Sequence, residues 1–244
     1  MNTAGVDLIA IDGPAGVGKS TVARGLAERL GYYFLSSGMI YRAMAWHLMQ
    51  QGWQPNAAPL KAEPLKAESV APENLERSLD GLTVRVTAEG RILANGRDVT
   101  GELRGEAVSA AASLISTLPM VRERSNRVQR DTVAAIGAAR SFPGVILEGR
   151  DIGTVVFPDA PHKFFLTAQA EIRAERRFAE QQAAHPELTL AQVRQSLRER
   201  DARDEGRALA PLVPAPDARI VDTSRLNLEQ VLERMLAELR AAGA

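Results

Sequence analysis

The sequence has 244 residues, 45% hydrophobic and 25% charged, enough to bury a core and within the size of one α/β domain carrying an insertion. Its 30 Lys and Arg balance 30 Asp and Glu, so no net field draws the chain to nucleic acid, an anionic membrane or an acidic polymer. Cysteine is absent, which excludes disulfides, thiolate nucleophiles and Cys-ligated metal centres. No apolar run is long enough to span a bilayer, and the start, MNTAGVDLIAID, lacks the regions of a signal peptide, so a cytoplasmic protein with no membrane partner is expected.

Val6 to Ile11 is a short apolar run, and Val22, Ala23, Leu26, Ala27 and Leu30 follow at helical spacing after Lys19. The pattern predicts strand, loop and helix. Gly31 suits the C-terminal cap of that helix, Tyr32 to Leu35 a second strand, and Ser36 or Ser37 the start of a helix running through Leu48. From Trp53 to Pro72, four prolines and a tandem PLKAE at residues 59–68 predict an irregular linker. Leu82 to Thr87 alternates, and Arg91 to Val99 follows across Glu89 and Gly90, which predicts a small antiparallel hairpin in an inserted region. Helical spacing resumes from Glu102 to Ala139 with a break at Pro119. Strands are expected at Val145 to Glu148, Lys163 to Thr167 and Arg219 to Asp222, with helices at Ala170 to Ala184, Leu190 to Glu205 and Leu228 to Leu239. Strands separated by helices call for an α/β class with a parallel sheet.

Gly13 to Thr21 reads GPAGVGKST and fits the P-loop pattern G-x-x-x-x-G-K-[ST], with a predicted strand before it and a helix after it. Gly13, Pro14, Ala15, Gly16, Val17 and Gly18 would turn backbone N–H groups toward phosphate oxygens, and the helix start at Lys19, Ser20 and Thr21 would add its positive dipole end. Lys19 is expected to reach the β- and γ-phosphates of a nucleoside triphosphate, and the Ser20 hydroxyl to coordinate Mg²⁺. No guanine-reading N/T-K-x-D motif is present, which argues against a GTPase. Small size and balanced charge argue against a nucleic-acid motor.

Three further segments, SSGMIYRA at 36–43, EGRDIGTVVFPDA at 148–160 and RDARDEGRALAPLVPAPDA at 200–218, resemble the bacterial cytidylate kinases, and the resemblance extends over nearly the whole chain. It implies a P-loop nucleoside monophosphate kinase fold. Residues 1–36 and 101–244 would form a CORE, with a short LID at about 170–186; residues 37–100 would form a monophosphate-binding region with a linker and small β insert. It implies γ-phosphoryl transfer from ATP to CMP or dCMP. Cytosine recognition would fall to Ser113, Arg122 and Asp151, and the CMP phosphate to Arg150, Arg200 and Arg207. Asp204 would hold the sugar hydroxyls, and Ser37 and Tyr41 would make further CMP contacts beside Gly149. The resemblance also sets Arg173, Arg176 and Arg177 at the LID, with Arg173 and Arg177 as catalytic candidates beside Lys19 and Arg150, and makes Glu148 an outer partner of Mg²⁺. An aspartate is common in relatives where Ser36 stands, which shifts that hydrogen bonding to Ser37 or water. Read without the resemblance, Arg200, Asp204 and Arg207 at i, i+4 and i+7 are most simply a solvated, ion-paired helix face, a reading that the resemblance reverses. Small size and the lack of an apolar stripe lead us to expect a monomer.

Overall fold

A computed structural model describes residues 5–53, 72–183 and 185–242. The chain opens with β1 (Asp7–Asp12), α1 (Lys19–Leu30), β2 (Tyr33–Ser36) and α2 (Ser37–Gln50). It continues through α3 (Pro72–Asp80), β3 (Val84–Val86), β4 (Ile92–Ala94), β5 (Arg97–Asp98), a 3-10 turn at Thr100–Arg104, α4 (Glu106–Ile115) and α5 (Pro119–Ala139). The last part holds β6 (Gly144–Glu148), a π turn at Ile152–Val156, β7 (His162–Thr167), α6 (Ala170–Gln181), α7 (Leu190–Glu205), β8 (Arg219–Asp222) and α8 (Leu228–Ala242). These elements fall into two compact units, Met1–Ser36 with Val133–Ala244, and Ser37–Thr132.

The first unit is built on a five-stranded sheet in the order β2-β6-β1-β7-β8, parallel at every pairing. The runs DLIAID and GVILE are buried almost throughout, as expected of strands covered on both faces. α1 turns Val22, Ala23, Leu26 and Ala27 into the core, where Ile9, Ile11, Ile146 and Phe164 from the sheet meet Val231, Leu232 and Met235 from α8. Gly25 lets α8 come close, since a Cβ there would lie 3.0 Å from Leu232 Cδ1. The helix stops at Gly31, in the left-handed conformation, whose N–H returns to the Ala27 carbonyl. Register then fixes which residues share the sheet's C-terminal edge: Glu148 is level with Ile11 on one side and Ser36 on the other. In open parallel sheets this edge is where ligands gather.

The second unit carries a three-stranded antiparallel sheet, β3-β4-β5, against which Ala43 and Trp46 of α2 pack together with Val99 and Leu103. It extends past residue 100 because α2 also lies along α4. Two features differ from the sequence expectation. Arg91 to Val99 is two strands, because Asn95 and Gly96 both take positive φ (49° and 82°) and close a two-residue hairpin turn. Pro72–Asp80 is helical, with proline at its first position, where the missing N–H costs nothing. The PLKAE duplication and most of the expected linker lie outside the described residues.

Leu26 is fully buried in the main core, so Leu26→Ala should destabilise the protein by about 2–5 kcal/mol. Urea unfolding of the two proteins measures this directly, and a loss below about 1 kcal/mol would show that α1 is not held as described.

Candidate active site

The loop between β1 and α1 needs its glycines. Gly13 has φ 145°, and a Cβ there would lie 2.1 Å from the Leu166 carbonyl oxygen. Gly16, at φ 79°, passes α6 so closely that a Cβ would sit 3.0 Å from the Arg173 carbonyl. Gly18 precedes α1 in the left-handed conformation and gives the helix no side-chain cap, so the positive end of the helix dipole opens on the loop. Lys19 is buried and its Nζ donates to the Pro14 carbonyl at 2.6 Å, crossing the loop it follows. Burial first, then the charges of Arg150 and Arg200, hold its ammonium well below the ordinary lysine pKa, against the pull of Glu148 and Asp12.

Glu148 ends β6 beside this loop. Its Oε1 accepts the Ser36 hydroxyl at 2.5 Å and the Ser20 hydroxyl at 3.1 Å, so one carboxylate oxygen joins the start of α1 to the ends of β2 and β6. Beyond it, Arg150 donates from Nε to Asp204 Oδ2 at 2.8 Å and from a terminal nitrogen to the Gly149 carbonyl at 3.2 Å. Arg207 donates to the other Asp204 oxygen. Burial would raise the Asp204 pKa, but Arg150, Arg207 and Arg200 together hold it below the usual carboxylate value. Arg150 answers in kind: burial works against its charge, and Asp204, with Glu148 and Asp201, outweighs burial and keeps the guanidinium charged. Arg207 is not on the helical face expected for it, because α7 ends at Glu205; the chain turns at Gly206 and brings the side chain back to Asp204.

The three arginines of α6 separate. Arg173 turns to the loop, donating to the Ala15 and Ala168 carbonyls, each at 3.2 Å, and pairing with Asp201 at 2.5 Å. Arg176 bonds the Thr223 hydroxyl and carbonyl at 3.0 and 2.7 Å. Arg177 reaches Glu180 at 3.3 Å on its own helix. In the second unit, Ser37 and Tyr41 are buried on α2, Ser113 on α4 and Arg122 on α5. Arg122 donates to the Ser116 carbonyl at 3.0 Å, while the Ser113 hydroxyl is buried with no hydrogen-bond partner among the described residues.

Sequence reasoning overlooked Asp12 and Asp201. Asp201 is the counter-ion of Arg173, and its place in the RDARDE run beside Arg200 and Asp204 was the available signal. Asp12 ends β1, and its carboxylate accepts the backbone N–H of Ile152 at 2.9 Å and of Gly153 at 2.8 Å. Burial pushes its pKa up to about 6; the two N–H bonds and Lys19 oppose this, and Asp151 adds to it.

A parallel sheet whose first strand runs through a glycine-lined loop into a Lys-Ser helix start defines a P-loop nucleotide-binding protein. Residues 9–241 match the sequence model of one family within that class, described as cytidylate kinase, and the chain belongs to the cytidylate kinase family. It is similar to the cytidylate kinases of Klebsiella pneumoniae (40% identity; 98% of this chain and 97% of the relative), Desulfitobacterium hafniense (40%; 94% and 90%) and Stutzerimonas stutzeri (42%; 96% and 95%).

The raised Asp12 pKa has a sign that can be checked. The folded protein keeps a proton that the unfolded chain releases from 3.8 upward, so this group's contribution falls as pH rises from about 4 to about 6 and then levels off. The change is on the order of 3 kcal/mol. Asp12→Asn lacks this titration, so the stability of the wild type relative to the variant should decline across that window in paired denaturant titrations. A difference that stays flat contradicts the assignment.

Proposed function

We propose that the protein transfers the γ-phosphoryl group of ATP to CMP or dCMP, giving ADP and CDP or dCDP. The observation that carries this reading is the crowding of Lys19, Arg150 and Arg200. Their mutual repulsion adds to burial, the larger cause, in depressing the Lys19 ammonium even though Glu148 and Asp12 stand nearby. Phosphates on two nucleotides would relieve it. Gly13 to Thr21 cradle the triphosphate of ATP, and Lys19 bridges its β- and γ-phosphates. Arg150, Arg200 and Arg207 take the CMP phosphate, with Asp204 setting the first and last of these guanidiniums and facing the sugar.

Specificity for cytosine is assigned to Ser113, Arg122 and Asp151. Cytosine offers an exocyclic amine as donor with a ring nitrogen and carbonyl as acceptors, so its pocket needs both a carboxylate and donors. The unspent Ser113 hydroxyl is of that kind. Ser37, Tyr41 and Gly149 complete the acceptor side. A general base is not needed, because a phosphate monoester with a second pKa of about 6 is already mostly dianionic at neutral pH. Catalysis is then positioning and neutralisation of charge on the equatorial oxygens. Arg177 and Arg173 belong to the LID in this reading. Arg173 must leave Asp201 or share it to reach the transferring group.

The Ser20 hydroxyl and the Glu148 carboxylate 3.1 Å from it suit Mg²⁺. They are hard oxygen donors, and this ion keeps several waters and takes few protein ligands when phosphates supply the rest. Ser20 would bind it directly and Glu148 through water, and the ion would neutralise charge between the β- and γ-phosphates. Among the described residues no helix is long and apolar enough to cross a membrane. We assign the protein to the cytoplasm as a monomer.

Single-turnover transfer from ATP to a panel of CMP, dCMP, UMP, AMP and shikimate tests the acceptor. CMP or dCMP should react fastest, and Lys19→Ala should lower that rate on the order of 10³-fold. Transfer to another member of the panel with CMP and dCMP inert would overturn the reading.

A further inference from the structure

The segment that presents Arg150 and Asp151 is a short turn between β6 and the π turn, with no sheet partner of its own. Its two ends are nevertheless both fastened to the last two residues of β1. Gly149 donates its N–H to the Ile11 carbonyl at 3.0 Å, and Ile152 and Gly153 donate theirs to the Asp12 carboxylate at 2.9 and 2.8 Å. Within the turn, the Asp151 carbonyl accepts the N–H groups of Val155 and Val156 at 2.9 and 3.2 Å. The first N–H groups of a helical turn have no partner inside it, so Asp12 supplies what the π turn lacks. A Cβ at Gly153 would press on the Lys163 side chain, 3.1 Å from its Cδ, and would lie at an ordinary contact distance of 3.5 Å from Asp12 Oδ2.

We propose that Asp12 is a positioning residue for the acceptor nucleotide: by holding the Ile152 and Gly153 amides, it fixes the turn on which Arg150 and Asp151 are aimed. The claim rests on the reading above, in which those two residues contact CMP. Asp12 itself touches no substrate, since both its oxygens are turned to backbone amides. An isosteric asparagine offers one oxygen and one NH₂, so it accepts from one amide and sets a donor against the other. A misplacement of about 1 Å in a positioning element is enough to cost on the order of 10²-fold in rate.

The test pairs kinetics with amide exchange on wild type and Asp12→Asn. The variant should raise KM for CMP by about tenfold or more and leave KM for ATP within about twofold. Exchange at Ile152 and Gly153 should quicken, with Ile146 and Leu147 in β6 unaffected. An unchanged KM for CMP, or equal rises for both substrates, overturns the proposal, because a merely structural residue would act on both sides alike. If the variant does not fold, wild-type exchange decides: Ile152 and Gly153 amides that exchange as freely as an open loop refute the staple, and strong protection supports it. Should the wild type fail to phosphorylate CMP, the functional reading falls, and the exchange result alone rules on whether Asp12 holds the turn.

Discussion

Concentrated positive charge at one edge of a parallel sheet is the constraint from which most of this structure follows. Lys19, Arg150 and Arg207 are all largely withdrawn from water, and Arg200 adds its field to theirs. Burying one unpaired ion costs several kcal/mol, so the carboxylates around them are a condition of folding. Asp204 answers Arg150 and Arg207, and Glu148 lies close enough to pull on Lys19 and Arg150. The compensation is uneven. Arg150 remains firmly charged, whereas the Lys19 ammonium is depressed, and such a site gains from any anion that enters it.

The sheet explains why these groups meet. Parallel register sets Ile11, Glu148 and Ser36 side by side, so three connections leave from neighbouring strand ends: the glycine loop after β1, the Arg-Asp turn after β6 and α2 after β2. The glycine loop is shaped by steric limits that only Gly13 and Gly16 meet, against Leu166 and Arg173 respectively. Arg173 then ties the loop to α6 and α7 through Ala15 and Asp201. In the proposed function, substrate chemistry and fold stability therefore share the same side chains.

Much of this was legible in the sequence, for identifiable reasons. The buried strands are continuous apolar runs, α1 shows its core face at helical spacing, and the P-loop pattern carries its own geometry. The short insert was harder. One apolar stretch became two strands because a two-residue Asn-Gly turn divides it, and proline at the head of α3 was read as a breaker when it stands where helices accept it. Spacing placed Arg207 on a helix that ends two residues earlier. Asp12 was the deepest omission: its partners are backbone amides, which every residue has, so no side-chain pattern announces them. Arg173, Arg176 and Arg177 share a helical side in the sequence, yet each finds a different partner that lies far off in the chain or on its own helix.

The most direct test of the charge account compares CMP with cytidine by titration calorimetry, in the presence of a non-hydrolysable ATP analogue and Mg²⁺. If undercompensated cations are what the acceptor satisfies, removing its phosphate should weaken binding by about 100-fold or more. Cytidine binding as tightly as CMP would contradict the account.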